Sequence, residues 1–148
     1  MKRVILTILT ILWMIIIFLF SNQKSTVSTN NSRSFVRNTI ANIYKFFDNN
    51  ATEEEIENVV LTFDVPVRKL CHFIEYLILG ILVLFMIKSY GINNLYITIL
   101  ICFIYACTDE FHQLFVIGRS GNIKDIIIDT LGSVTFILFY KLVCKKNE

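Results

Sequence analysis

The 148-residue chain is predicted to be all-α, an integral membrane bundle of four transmembrane helices with two short amphipathic helices in an outer segment, forming a single domain. Three observations lead to that fold class. Apolar residues make up 55% of the chain and the mean hydropathy is +0.62, which puts it in the membrane class. Four apolar runs reach, or can be extended to, the length needed to cross roughly 30 Å of hydrocarbon as a helix. Ionisable residues within those runs recur at helical spacing, as expected where helices turn polar stripes toward one another.

Val4–Phe20 contains no charge and forms the first span. Lys2 and Arg3 precede it as in a signal peptide, but the apolar stretch is long and no A-x-A site follows, so it reads as a retained helix. Residues 21–66 form the outer segment. There Val36, Ile40, Ile43, Tyr44 and Phe47 are spaced by three and four, which predicts an amphipathic helix over Phe35–Phe47. The "DNNAT" stretch supplies a turn, and Thr52 with Glu55 is a capping-box signature opening a second helix with Ile56, Val59, Val60 and Phe63 on one face. Asp64 and Pro66 are expected to stop that helix and start the next. Both short helices read as a lid over the spans, with helices lying on the membrane surface as the alternative. The second span covers about 67–87, the third 95–117 if its acidic cluster is tolerated, and the fourth 125–143, interrupted by Asp129 and Lys141.

Basic residues in short loops set the orientation. Lys2, Arg3, Lys88, Lys141, Lys145 and Lys146 fall on one side of a four-span chain, so both termini are expected to be cytoplasmic, in the cell membrane. The outer segment and the Gly118–Lys124 turn then lie outside. A net charge of +2 is too small to imply nucleic acid as a partner; membrane lipid is the partner that composition implies, and oligomeric state is not legible. Cys71, Cys102, Cys107 and Cys144 show no C-x-x-C spacing and read as small hydrophobes, with a Cys71–Cys107 bridge as the alternative.

The polar groups are concentrated at one level. Arg68, His72 and Glu75 are spaced i, i+4, i+7 on the second span. Asp109, His112 and Gln113 share a face of the third, with Glu110 beside them; Asp125 and Asp129 are i, i+4 on the fourth, and Ser133 continues their line. Gly132 permits a close helix contact there. Ser21 and Gln23 stand at the end of the first span, and Arg119 lies between Gly118 and Gly121 in the last turn. Each ionisable group costs about 2.5–3.5 kcal/mol at the bilayer centre, so these stripes are expected to face protein or water in one outward-facing pocket. Taken singly, Ser21 and Gln23 read equally as helix-end caps, and Arg68, Lys69 and Lys124 as interfacial anchors. Taken together, His72, Glu75, Asp109, Glu110, His112, Asp125 and Asp129 are candidate catalytic groups, and Ser21, Gln23, Arg68, Lys69, Gln113 and Arg119 candidate ligand-binding groups. Five carboxylates exceed two arginines, a surplus that a divalent metal, shared protons or a basic ligand would balance; inward-pointing lysines would leave a plain ion-pair network. No spacing identifies a metal, so the cofactor stays open.

The stretches "FSNQ", "RKLCHFIEYLILG" and "YACTDEFHQLFVIGRSGNIKDIIIDTLGS" resemble the VanZ-like family, from the first helix to the last. The residues matching the family pattern are Arg68, Lys69, His72, Glu75, Asp109, Glu110, His112, Gln113, Arg119, Asp125 and Asp129. Departures are conservative: Cys71 and Cys107 stand where small residues are usual, and Ile117 where proline is common. The resemblance implies membrane location and an association with resistance to teicoplanin, a glycopeptide, in Gram-positive bacteria. It implies no mechanism.

Two functions are compatible with it. A non-catalytic envelope protein would bind the lipid tail of a lipoglycopeptide or shield the lipid-linked cell-wall precursor. An enzyme would act on a lipid-linked or phosphorylated envelope substrate, with the arginines on an anionic headgroup and a histidine as general base. A transporter is the weaker third reading, because Leu77–Ile87, Ile97–Phe103 and Thr135–Phe139 carry no ionisable residue to continue a path.

The topology is testable by labelling single cysteines in intact cells, on a background lacking the native four. A cysteine at position 120 should react with an impermeant reagent and one at position 91 should not. The reverse pattern would invert the orientation.

Overall fold

The structure is a computed structural model and describes residues 1–47 and 52–145. Among them are five helices: α1 (Lys2–Ser21), α2 (Ser25–Phe47), α3 (Glu53–Ser89), α4 (Leu95–Gln113) and α5 (Ile123–Lys145). The helices α1, α3, α4 and α5 are long and apolar enough to cross a membrane, as the sequence predicts. Most of the "DNNAT" turn, residues 48–51, lies outside the described residues.

Local chemistry accounts for the helix ends. Thr52 and Glu55 form the predicted capping box, and Glu53, Glu54 and Glu55 put negative charge at the positive end of the α3 dipole. Asn94 caps α4 by accepting from the Tyr96 amide at 2.9 Å. Within α1, Thr7 and Thr10 donate to the carbonyls of Arg3 and Leu6, so neither hydroxyl is left unpaired among apolar side chains.

The outer segment differs from expectation in two ways. The second short helix does not stop at Asp64 and Pro66; it runs unbroken into the second span as the 37-residue α3. Pro66 lacks an amide hydrogen, and the contacts of Val60, Asp64 and Val67 with α2 hold the helix on either side of it. Val36, Ile56 and Val60 are buried together, with Ile40, Tyr44 and Val67 against them, pinning α2 across the start of α3. Asp64 is an anchor rather than a stop signal: it is buried, accepts a short hydrogen bond from Ser32 Oγ, and pairs with Arg33 at 3.3 Å. Secondly, α2 begins at Ser25, ten residues before the apolar periodicity. Its first turns are held by polar contacts to α3, which a search for apolar spacing does not see.

The helix α3 is the hub, packing against α1, α2, α4 and most extensively α5. Ile17, Tyr76, Leu79, Val83, Cys102 and Ala106 form the core between α1, α3 and α4. Two side chains tie helices together through backbone carbonyls: Trp13 Nε1 donates to Glu75 O at 2.9 Å and Tyr105 Oη to Met14 O at 2.6 Å. Outward faces are apolar, as with Ile8, Leu12, Leu100 and Ile104. The α1 start, the α3–α4 turn and the α5 end share one end of the bundle, where Thr7 meets Tyr90 at 3.1 Å and Lys88 bonds Tyr140. Cys71, Cys102 and Cys107 are free thiols, so the alternative Cys71–Cys107 bridge is not formed.

The α3–α5 contact depends on missing side chains. A Cβ on Gly132 would lie 2.2 Å from the Phe73 carbonyl oxygen, and one on Gly80 would lie 2.9 Å from Ser133 Cα. Gly132→Ala must therefore push the helices apart, at about 1–3 kcal/mol. The variant should melt well below the parent protein in detergent, whereas Leu131→Ala, on the exposed face of α5, should melt close to it.

Candidate functional site

Polar side chains converge at the other end of the bundle. The middle of α3 brings Arg68, Lys69, His72 and Glu75; the end of α4 brings Asp109, Glu110 and Gln113; the start of α5 brings Asp125 and Asp129. Gly118, with φ of 78°, makes the turn that returns Arg119 toward α1. A cavity of about 160 Å³ has Arg68, Lys69, His72, Glu110, Arg119 and Asp125 in its walls. A neighbouring cavity of about 270 Å³ shares Arg68, His72 and Arg119 and adds Gln23 and Glu75.

Arg119 does most of the assembly. Its Nε donates to Gln23 O at 2.9 Å, just past the end of α1, and its Nη2 to Phe20 O at 3.3 Å, an acceptor it shares with the Gln23 amide. Its Nη1 donates to Gln113 Oε1 at 3.3 Å. That contact turns the Gln113 amide nitrogen toward the carboxylates, and it donates to Glu110 at 3.0 Å and Asp109 at 3.4 Å. Burial pulls the Arg119 pKa down from its ordinary value, opposed by Asp109 and Glu110, yet a guanidinium at this position keeps its charge. Gln23 therefore contributes a carbonyl to Arg119 and also lines the second cavity.

The remaining cations are divided. Lys69 pairs with Asp125 at 2.7 Å, so it points into the site, while Lys124 is exposed. Arg68 Nη1 donates to Thr29 Oγ1 at 3.1 Å, which leaves most of its guanidinium facing the two cavities. His72 Nδ1 lies 3.5 Å from Glu75 Oε2, an ion-pair distance rather than a hydrogen bond, and both side chains are about one-fifth exposed. A carboxylate at that distance favours the tautomer with its proton on Nδ1, which leaves Nε2 as the basic nitrogen.

Beneath this layer sits a buried one. Asp129 is 0% exposed and Asp109 2%, with Ser21 and Tyr76 packed in the same region. One oxygen from each of Asp109, Glu110 and Asp129 lies within 4.8 Å of the others. Glu110 also accepts from the Asn122 amide at 2.8 Å, which anchors the α4–α5 turn over the cluster.

His112 is not brought into this pocket, although its spacing from Asp109 predicts a shared face. Its ring stacks on Phe18 at 4.5 Å and its Nε2 lies 3.2 Å from Asn22 Oδ1, so it faces the end of α1. At about 100° per residue, His112 stands about 60° round α4 from Asp109 on one side and Gln113 about 40° on the other, which turns His112 toward α1. Asn22, Thr29, Asn122 and Tyr76 contribute to the site or its frame and were not singled out from sequence. Single Asn and Thr residues carry no spacing signal, and Tyr76 reads as part of an apolar run.

The arrangement has three chemical capacities. Arg68 and Arg119 can hold an anionic oxygen, His72 with Glu75 can transfer a proton, and the buried carboxylates can hold a cation. A family model described as VanZ/LLP1 matches residues 6–144. No curated protein and no solved structure matches the chain. The family match runs across all four apolar helices and every residue of this site, so the chain is a membrane protein belonging to the VanZ/LLP1 family.

Proposed function

We propose that the chain is an envelope enzyme of the cell membrane whose pocket faces outward and acts on a lipid-linked or phosphorylated amphiphile. The observation that carries this reading is the meeting of His72, Glu75, Arg68 and Arg119 around cavities at the edge of an apolar groove. Arg68 and Arg119 hold the anionic headgroup through charge-assisted hydrogen bonds. His72, oriented by Glu75, takes the proton from the attacking group and returns it to the leaving group. Lys69 and Asp125 close one wall as an ion pair. Basic residues Lys2, Arg3, Lys88 and Lys141 at the opposite end support cytoplasmic termini and an outward pocket. An enzyme altering a cell-wall precursor there would change susceptibility to glycopeptides such as teicoplanin.

One observation favours a second, non-catalytic reading. A wholly apolar groove of about 370 Å³ runs between α2 and α3, lined by Phe35, Ile40, Tyr44, Val59, Phe63 and Val67. Phe35 and Val67 also line the cavity that holds His72 and Arg119. A groove of this kind suits an acyl chain, either of the substrate or of a lipoglycopeptide sequestered without reaction.

Drug susceptibility in a teicoplanin-sensitive Gram-positive host separates the two. Removing a general base costs roughly 10²–10⁴-fold in rate. Cells producing His72→Gln should therefore be as sensitive as cells without the protein, at unchanged membrane levels. Ile40→Asn in the groove should weaken protection only in part. Full protection by His72→Gln together with its loss in Ile40→Asn would replace the enzyme with a binding protein.

A further inference from the structure

We infer that Asp109, Glu110 and Asp129 form a binding site for one hard divalent cation at the floor of the bundle, beneath the pocket. The inference stands on the carboxylate geometry and does not depend on the catalytic reading.

The case begins with Asp129. It is 0% exposed, yet neither of its oxygens has a hydrogen-bond partner among the described residues. Among the described residues no hydrogen bond or ion pair joins it to an arginine, and His72, which faces it, lies against Glu75. Asp109 likewise has one oxygen without a partner. A neutral group repeats the pattern independently. Tyr76 Oη belongs to a residue that is 0% exposed, has no hydrogen-bond partner and faces Asp109 and Asp129. Burying an unpaired charge or hydroxyl costs several kcal/mol at the upper end, so this many in one place implies a missing common partner.

Geometry and composition indicate what that partner is. Oxygen ligands sit at about 2.3–2.6 Å from Ca²⁺ and about 2.0–2.1 Å from Mg²⁺, so opposed ligands are roughly 4.0–5.2 Å apart across such ions. Three oxygens within 4.8 Å of one another fit inside that span. The ligands are all carboxylate oxygens, which select hard cations over zinc or copper. Gln113 donates to both Asp109 and Glu110 and orients them from behind. Glu110 also lines the cavity above, which gives an ion a way in. Buried water would satisfy the hydroxyl and would leave the charges of the carboxylates unbalanced.

The full-length protein in detergent, stripped with a chelator and then equilibrated with Ca²⁺, Mg²⁺ or Mn²⁺, tests this. Bound metal and melting temperature are both read. The parent protein and Ile127→Leu should take up about one ion per chain and melt higher with it. Asp129→Asn should bind none, show no ion-dependent shift, and in chelator melt no lower than the parent. If the parent binds no ion and its melting is indifferent to all three, the cluster is held by shared protons and the site is overturned. Should Asp129→Asn instead keep the ion, the ligand set is wrong. Either result leaves the outcome for His72→Gln untouched.

Discussion

The backbone-to-backbone approach of α3 and α5, where Gly132 leaves no room for a side chain beneath the Phe73 carbonyl, sets the distance across which the polar residues meet. At this spacing Lys69 reaches Asp125, and Asp129 is sealed from both lipid and water. Hydrocarbon offers no partner for an ionisable group, so each must find another group in the protein. The α3–α5 contact makes that search succeed for the upper groups and concentrates the lower ones. The core of Ile17, Leu79 and Val83 holds the remaining helices around this seam.

Much of this could be read from residue spacing. Apolar runs located all four long helices, because the bilayer imposes a length that few other folds require. The i, i+4 relations of Arg68 with His72 and of Asp125 with Asp129 placed them on common faces, and Gly132 marked the close contact. An i, i+3 relation is looser than i, i+4, and at His112 the rotation of about 60° from Asp109 is enough to turn the ring toward α1. Proline and aspartate were overweighted as breakers at 64–66, since the counterweight came from Ser32 and Arg33, some thirty residues away. The direction of Lys69 was undecidable from sequence, because a long flexible stem serves an interfacial anchor and an inward ion pair equally well. Arg119 read as a ligand-binding group. It also has a structural duty, to carbonyls at and just past the end of α1, and carbonyl acceptors leave no mark in a sequence.

The family match and the site geometry contribute at different levels. Membership fixes the class of protein across residues 6–144. The division into an upper layer of cations with His72 and a lower layer of buried carboxylates comes from the packing alone. Glu110 belongs to both layers, since its carboxylate faces the cavity, the Gln113 amide and the Asn122 backbone.

The continuous α3 has a mechanical consequence. At 1.5 Å per residue its 37 residues measure about 55 Å, nearly twice the hydrocarbon thickness, so several turns project beyond the bilayer as a stiff rod. The helix α2 is bolted to that rod by Asp64 and by the Val36–Ile56–Val60 contact. Arg68 and His72 sit on the same rod just below. The bonds of α2 to Asp64 before Pro66 and to Arg68 after it splint the one point of α3 where proline removes a backbone hydrogen bond, so the rod keeps its line from the outer helix down to the pocket.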